Sequence, residues 1–309
     1  MQHHSHDVED HDLGINHDLE VIAAMSNRRR ALRMFAGVGT AALVAACGGK
    51  KGGTVSVSTG TTTATPTPTP TATATPTPTA TATPTPTASG VCIVDPTETN
   101  GPYPADGTNT ASGPTSNALT ATGIVRSDIR SSFLSGQTAA ASGVQLTLTL
   151  TVVNVNASCA PLAGYFVYIW HCDANGKYSL YDVPTASWLR GALVTDANGQ
   201  VTFTTIFPGC YSGRWPHIHF EVFSSQSTAT SGRFATLISQ LAMPSAVSST
   251  VYNGSSLYSS SVSNFSRISI ASDNVFGDNT AAQIAQQTPT LTGSVAAGYT
   301  GSAVIGIAR

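Results

Sequence analysis

The chain has 309 residues, only 10% of them charged, and a formal net charge of −2 at pH 7. That balance excludes a nucleic-acid binder working through a basic surface, while 41% hydrophobic residues are enough to fill a core. The length alone would hold two domains, but the composition of the first 90 residues leaves material for one.

Residues 1–27 carry five of the eight histidines, many acidic residues and little apolar content. Arg28-Arg29-Arg30-Ala31-Leu32-Arg33 follows, then an apolar run from Met34 that ends in Val44-Ala45-Ala46-Cys47. A basic region, a short apolar stretch and small residues before a break make up an export signal, and the stretch is too short to span a bilayer as a helix. The paired arginines are similar to a twin-arginine signal, which carries folded proteins. The small-small-Cys ending is similar to a lipobox, whose cysteine is lipidated; simple cleavage just before Cys47 is the alternative. Residues 1–47 are thus expected to be an extension and export signal. The protein is expected in the cell envelope or outside the cell, lipid-anchored at Cys47, with its early histidines removed.

Residues 48–90 run from Gly/Lys through Ser/Thr into a Thr-Pro repeat with prolines at 66, 68, 70, 76, 78, 84 and 86. Proline fixes φ and removes a hydrogen-bond donor, so this segment is expected to be a disordered, polyproline-like stalk. Residues 91–309 remain as one domain, with eight Lys/Arg against ten Asp/Glu. It carries Cys92, Cys159, Cys172 and Cys210, an even number that in an exported chain suggests two disulfides in any of three pairings. A zinc site built from the four thiolates is the alternative, without the close Cys-x-x-Cys spacing such sites use.

Gln145 to Val152 alternates apolar and polar residues and predicts a half-buried strand. Tyr165 to Trp170 is a continuous apolar and aromatic run, expected to be a central strand. The tetrapeptide Asp-Ala-Asn-Gly occurs at 173–176 and again at 196–199, ahead of Val201-Thr202-Phe203-Thr204. Asn-Gly between apolar runs predicts a hairpin turn. Further strands are expected at 217–223 and 266–271, a helix at 233–242, a turn near 280–287, and long Ser-rich surface loops over 224–262. Many short strands separated by Gly, Asn and Pro predict a mainly β fold, an antiparallel β-sandwich with long loops and little helix.

The chemistry concentrates in Tyr211-Ser212-Gly213-Arg214-Trp215-Pro216-His217-Ile218-His219. Side chains two apart on a strand share a face, so His217 and His219 project together and Ile218 and Phe220 the other way. Alone, such a pair is as readily filler on a half-wet sheet face as a metal site. Tyr211 just before it, and Tyr178 at the end of the first Asn-Gly turn, make a set of two phenols and two imidazoles possible. Such a set suits a hard, strongly Lewis-acidic ion that drives off phenolic protons, with Fe(III) the natural candidate and zinc the runner-up.

Three segments carry a family resemblance: Tyr168-Ile169-Trp170-His171-Cys172-Asp173-Ala174-Asn175-Gly176-Lys177-Tyr178-Ser179, Phe203-Thr204-Thr205-Ile206-Phe207-Pro208-Gly209-Cys210-Tyr211 and Gly213 to Phe220. They resemble the intradiol ring-cleavage dioxygenases, in particular an extracytoplasmic branch related to the protocatechuate 3,4-dioxygenase β chain. Thr99-Asn100-Gly101-Pro102-Tyr103 is similar to an N-terminal element of that family, with Asn100 where Glu is usual. Asp128-Ile129-Arg130, Leu189-Arg190-Gly191 and Asp273-Asn274-Val275-Phe276 are similar to further landmarks.

The resemblance implies one Fe(III) per chain held by Tyr178, Tyr211, His217 and His219. It implies Arg214 and Gln240 as active-site residues and Tyr211 as the proton acceptor. Around Gln240 the Ser-rich spacing is longer than in the family, and Ala242-Met243-Pro244 departs from its aromatic-acidic sequence. The implied reaction inserts both atoms of O2 into a catechol-type ring to give a muconate-type diacid, with the catechol and O2 as partners and no nucleic acid. Read from the residues, Arg214 could instead pair with Glu221, His171 is structural, and Trp170, Trp188 and Trp215 are core or pocket wall. Two other functions stay open: an exported β-sandwich lipoprotein that binds without ring cleavage, and a zinc hydrolase on the same sandwich.

Overall fold

The computed structural model describes residues 92–309. The signal segment over 1–47, the stalk over 48–90 and the lipid anchor at Cys47 lie outside the described residues. Among the described residues, nine strands form two sheets. One contains β1 (Gln145–Asn154), β2 (Ala160–Pro161), β5 (Gln200–Ile206), β8 (Thr290–Ser294) and β9 (Gly298–Ile307). The other contains β3 (Phe166–Trp170), β4 (Arg190–Val194), β6 (His217–Phe223) and β7 (Leu237–Ala242), in the order β4-β3-β6-β7. Pairing is antiparallel except between β1 and β9, which run parallel.

β1 behaves as its alternation predicts, with Leu146, Leu148, Leu150 and Val152 buried in turn. They meet Val167 and Ile169 of β3 and Ile218, Phe220 and Val222 of β6 in the core between the sheets. The second sheet is also covered on its other face. There Tyr168, Trp170 and Phe223 pack under Ala105, Ala118, Leu119, Ile124, Tyr178 and Leu180. β6 is therefore buried along its whole length, and the histidine face is not the half-wet surface its sequence allows.

Several expectations are corrected. Residues 233–242 form a 3-10 turn, Gly232–Phe234, followed by β7; pairing with β6 captures this backbone as strand. Residues 266–271 are not a strand: Ser269 and Ser272 cap a 3-10 turn at Ile270–Ser272, the local side-chain bonding that serines offer the backbone. The Ser-rich stretch 224–262 holds β7, α1 (Ser245–Gly254) and most of α2 (Ser259–Phe265), with Val251, Tyr252 and Tyr258 buried. The region near 280–287, expected as a turn, is extended into a helix, α3 (Ala281–Gln287), by the capping box of Thr280 and Gln283.

Neither Asp-Ala-Asn-Gly segment closes a hairpin. The second joins β4 to β5, strands of different sheets, and so turns a corner of the sandwich. Of the two expected disulfides, Cys92–Cys159 is present and Cys172 and Cys210 are buried free thiols. Each thiol hydrogen-bonds a backbone carbonyl instead: Cys172 that of Gly209, Cys210 that of Arg214.

Candidate active site

Register builds the site. Trp170 on β3 pairs with Arg190 on β4 and with His219 on β6, which pairs with Gln240 on β7. Residues directly opposite on paired strands share a face, so all four stand in one row across the outer face of the second sheet. His219 lies flat on the Trp170 indole, centroids 4.7 Å apart and planes 6° apart, which fixes the imidazole plane. His217, two residues earlier, faces the same way at 4.7 Å between ring centroids.

The two phenols arrive on loops. In the Asp173–Gly176 turn the Asp173 carboxylate accepts the amides of Asn175 and Lys177, and Gly176 takes φ +79°. A Cβ at Gly176 would lie 2.8 Å from Tyr211 Cβ, so the Tyr178 loop and the Tyr211 loop touch here. Tyr178 Oη and Tyr211 Oη each lie 3.3 Å from His217 Nε2, and His219 Nε2 lies 3.1 Å from it. Two phenol oxygens and two imidazole nitrogens thus converge on one point. Tyr178, His217 and His219 are at most 2% exposed, while Tyr211 is half-buried and keeps solvent contact.

This convergence is chemically unbalanced without a cation. His217 Nδ1 lies 2.5 Å from the Trp215 carbonyl, which can only accept, so Nδ1 carries the proton and Nε2 offers a single lone pair. Three polar atoms crowd that lone pair, and His219 Nδ1 is buried without a partner. Burial, with the charge of Arg214 added, lowers the His217 pKa to about 3, and burial with the His217 charge moves His219 well below its usual range. Both imidazoles are therefore neutral and able to ligate. Burial raises both phenols above their ordinary pKa, so their ionisation needs a strong positive centre beside them. The donor set fits a hard metal ion. Two of its members are phenols, and among the described residues no group of three or more His, Cys, Asp or Glu is placed to hold a metal; zinc is the less well served.

Arg214 is 6% exposed and acts on all four donors electrostatically, favouring ionised Tyr178 and Tyr211 and neutral His217 and His219. It does not pair with Glu221. Its Nε donates to Asp273 Oδ2 at 2.9 Å and its Nη2 to Gln240 Oε1 at 2.7 Å. Gln240 Nε2 in turn donates to the Thr99 carbonyl at 2.9 Å. The structure therefore brings Gln240 into the cluster despite its lengthened spacing, since β7 pairing places it opposite His219.

Several neighbours were not singled out from sequence as parts of a site. Gly101, at φ +69°, approaches His219 so closely that a Cβ would sit 3.2 Å from its Cε1. The Tyr103 ring lies 4.7 Å from that of Tyr178. The Asn-Gly-Pro-Tyr sequence was the available signal: the chain makes a tight glycine approach and then delivers an aromatic ring. Arg190, also in the row, makes five hydrogen bonds, to Ser179 Oγ and carbonyl, the carbonyls of Pro104 and Tyr103, and Tyr168 Oη.

His171 stays out of the cluster. Its ring bonds the Cys172 carbonyl and Thr205 Oγ1, and burial lowers its pKa to about 4. Trp188 and Trp215 are core residues, while Trp170 is both core and the stacking platform for His219.

A family model described as dioxygenase matches residues 124–244. The solved intradiol ring-cleavage dioxygenase from Tetranychus urticae is 26% identical with a TM-score of 0.51, covering 70% of this chain and 95% of that one. Over these residues the chain is similar to the intradiol ring-cleavage dioxygenases. Among curated relatives, catechol 1,2-dioxygenase 1 of Acinetobacter lwoffii is 32% identical over 96 residues, 24% of this chain and 30% of the relative. Chlorocatechol 1,2-dioxygenase of Pseudomonas sp. strain P51 is 30% identical over 82 residues, 20% of this chain and 33% of the relative. The chain thus spans about a third of the length of these curated relatives.

Proposed function

We propose that this protein is an Fe(III)-dependent intradiol dioxygenase that inserts both atoms of O2 into a catechol-type ring and yields a muconate-type diacid. The observation that carries the reading is the convergence of Tyr178 Oη, Tyr211 Oη and His219 Nε2 within 3.3 Å of His217 Nε2. These four residues would hold the iron. Bound there, ferric iron would supply the Lewis acidity that ionises catechol hydroxyls and draws electron density from the ring.

The rest of the chemistry falls to the chain's own groups. Tyr211 is the one donor with solvent contact, and its phenolate, a strong base because burial raises the pKa of the phenol, is a competent acceptor for a catechol proton. Arg214 remains charged: burial opposes the charge, but Tyr211 and Asp273 more than offset it. Its guanidinium is the preorganised positive group for negative charge that develops on the opening ring. Gln240 fixes one edge of that guanidinium, while Gly101 packs against His219 and Tyr103 against Tyr178. The segment Arg28 to Cys47 supports the further reading that the enzyme is exported and held by a lipid at Cys47.

Purified protein supplied with iron should be purple to red from tyrosinate-to-iron charge transfer, and should consume O2 with a catechol. A colourless protein that takes up no iron would leave the lipoprotein-binding reading in its place. Zinc on metal analysis without O2 consumption would favour a hydrolase. A panel of substituted catechols in the same oxygen electrode identifies the substrate.

A further inference from the structure

The geometry points to Asp273 as a positioning residue of the ring-cleavage reaction, one that aims the Arg214 guanidinium at the donor cluster. The carboxylate is 2% exposed and both of its oxygens are fully used. Oδ1 accepts the amides of Val275 at 2.8 Å and Phe276 at 3.0 Å, which shapes its own loop. Oδ2 accepts Arg214 Nε at 2.9 Å and the Trp215 amide at 2.6 Å. One oxygen therefore builds the loop, and the other reaches 58 and 59 residues back to the segment entering β6.

An arginine head is a rigid planar fork, so two bonded edges set its plane. Asp273 holds Nε and Gln240 holds Nη2, and the guanidinium is left without rotational freedom. The Trp215 amide on the same oxygen adds a second constraint, on the backbone that directly follows Arg214. Asn cannot substitute, because its amide would bring N–H groups against either the Arg214 and Trp215 donors or the loop amides. Ser at this position can still cap the loop amides but is too short to reach Arg214.

The inference rests on the ring-cleavage reading, and two readouts keep their failures apart. In the metal-free protein, the Arg214 Nε–H signal in 15N NMR should exchange slowly with solvent. It should exchange at least tenfold faster in Asp273→Asn and Asp273→Ser. This readout needs no turnover, so it stands even if no catechol is consumed by the wild type.

In the iron-loaded enzyme, Arg214→Ala should lower kcat by about 10²–10³-fold, the usual loss for one electrostatic donor. The Asp273 variants should lower kcat by roughly 10–10²-fold with KM within about twofold and the charge-transfer colour retained. The double variant Asp273→Asn/Arg214→Ala should be no slower than Arg214→Ala alone, since both act through one group. Unchanged Nε–H exchange, unchanged kcat, or a double variant slower by the product of the two single effects would each overturn the proposal. So would loss of folded protein in both Asp273 variants, which would make the residue a requirement of the fold and not of the arginine.

Discussion

Gly176→Ala tests the contact on which the donor cluster is built. Gly176 has φ +79°, and a Cβ there would meet Tyr211 Cβ at 2.8 Å, closer than two such carbons come. Left-handed backbone costs an L-residue roughly 1–2 kcal/mol. Overpacking a tight contact costs about 1–3 kcal/mol more, for a total of roughly 2–5 kcal/mol. Gly164 is the matched control: it has φ +81° and nothing within 4 Å of its would-be Cβ, so Gly164→Ala should show the backbone cost alone. In a domain of this size 1 kcal/mol moves Tm by about 2–4 °C, so Gly176→Ala should melt about 2–12 °C below Gly164→Ala by calorimetry. Its extra loss should come with weaker iron uptake, because Tyr211 must retreat. Equal melting of the two variants, with the charge-transfer band of Gly176→Ala unmoved, would refute the claim that the phenol loops are in register through this glycine.

Other outcomes follow from single residues. Asp95 is buried with Oδ1 unpartnered, and burial raises its pKa to about 7 from an ordinary 3.8. Its protonated form is favoured in the fold, so stability should fall as pH rises from about 3.8 to about 7. Asp95→Asn should match the wild type at pH ~4 and exceed it at pH ~8 by at most about 4 kcal/mol, read as Tm against pH. Removing the disulfide with Cys92→Ser/Cys159→Ser opens a loop of sequence separation 67 and should cost about 4 kcal/mol in chemical denaturation. In the same experiment Cys172 and Cys210 should react with a thiol reagent only after unfolding. Arg190→Lys replaces five directed donors with three and should lose roughly 2–6 kcal/mol by leaving buried acceptors unmade; a loss under about 1 kcal/mol would refute the network's role.

Much of the site was legible because its parts are local in sequence. Strand alternation put His217 and His219 on one side and the core residues Ile218 and Phe220 on the other, and the loop positions of Tyr178 and Tyr211 followed from Gly and Pro signals. What remained hidden depends on register between strands distant in sequence. Nothing in the stretch around Trp170 says that it will lie under His219, nor does the Ser-rich approach to Gln240 say that β7 will bring it opposite that histidine. Asp273 shows the same limit: its loop-capping half is written in its neighbours, but its reach to Arg214 is tertiary. The helix expected over 233–242 failed for this reason too, since pairing with β6 overrode local propensity. The second disulfide failed because a single folded core can satisfy a thiol with a carbonyl as well as with another sulfur.

The Cys92–Cys159 bond also decides where a mechanical load would travel. A pull on the chain ahead of Cys92 passes first into a covalent link to the loop beyond β1, a strand seated between β5 and β9. The segment from Thr99 to Tyr103, which leans on His219 and Tyr178, lies behind that link and is spared the tension. The first described cysteine therefore acts as a strain relief, like the clamp where a cable enters its housing. Reduction of that bond would pass the tug to Asp95 and Glu98, whose backbone bonds to Gly306 and Ile238 then stand between it and the segment beside His219.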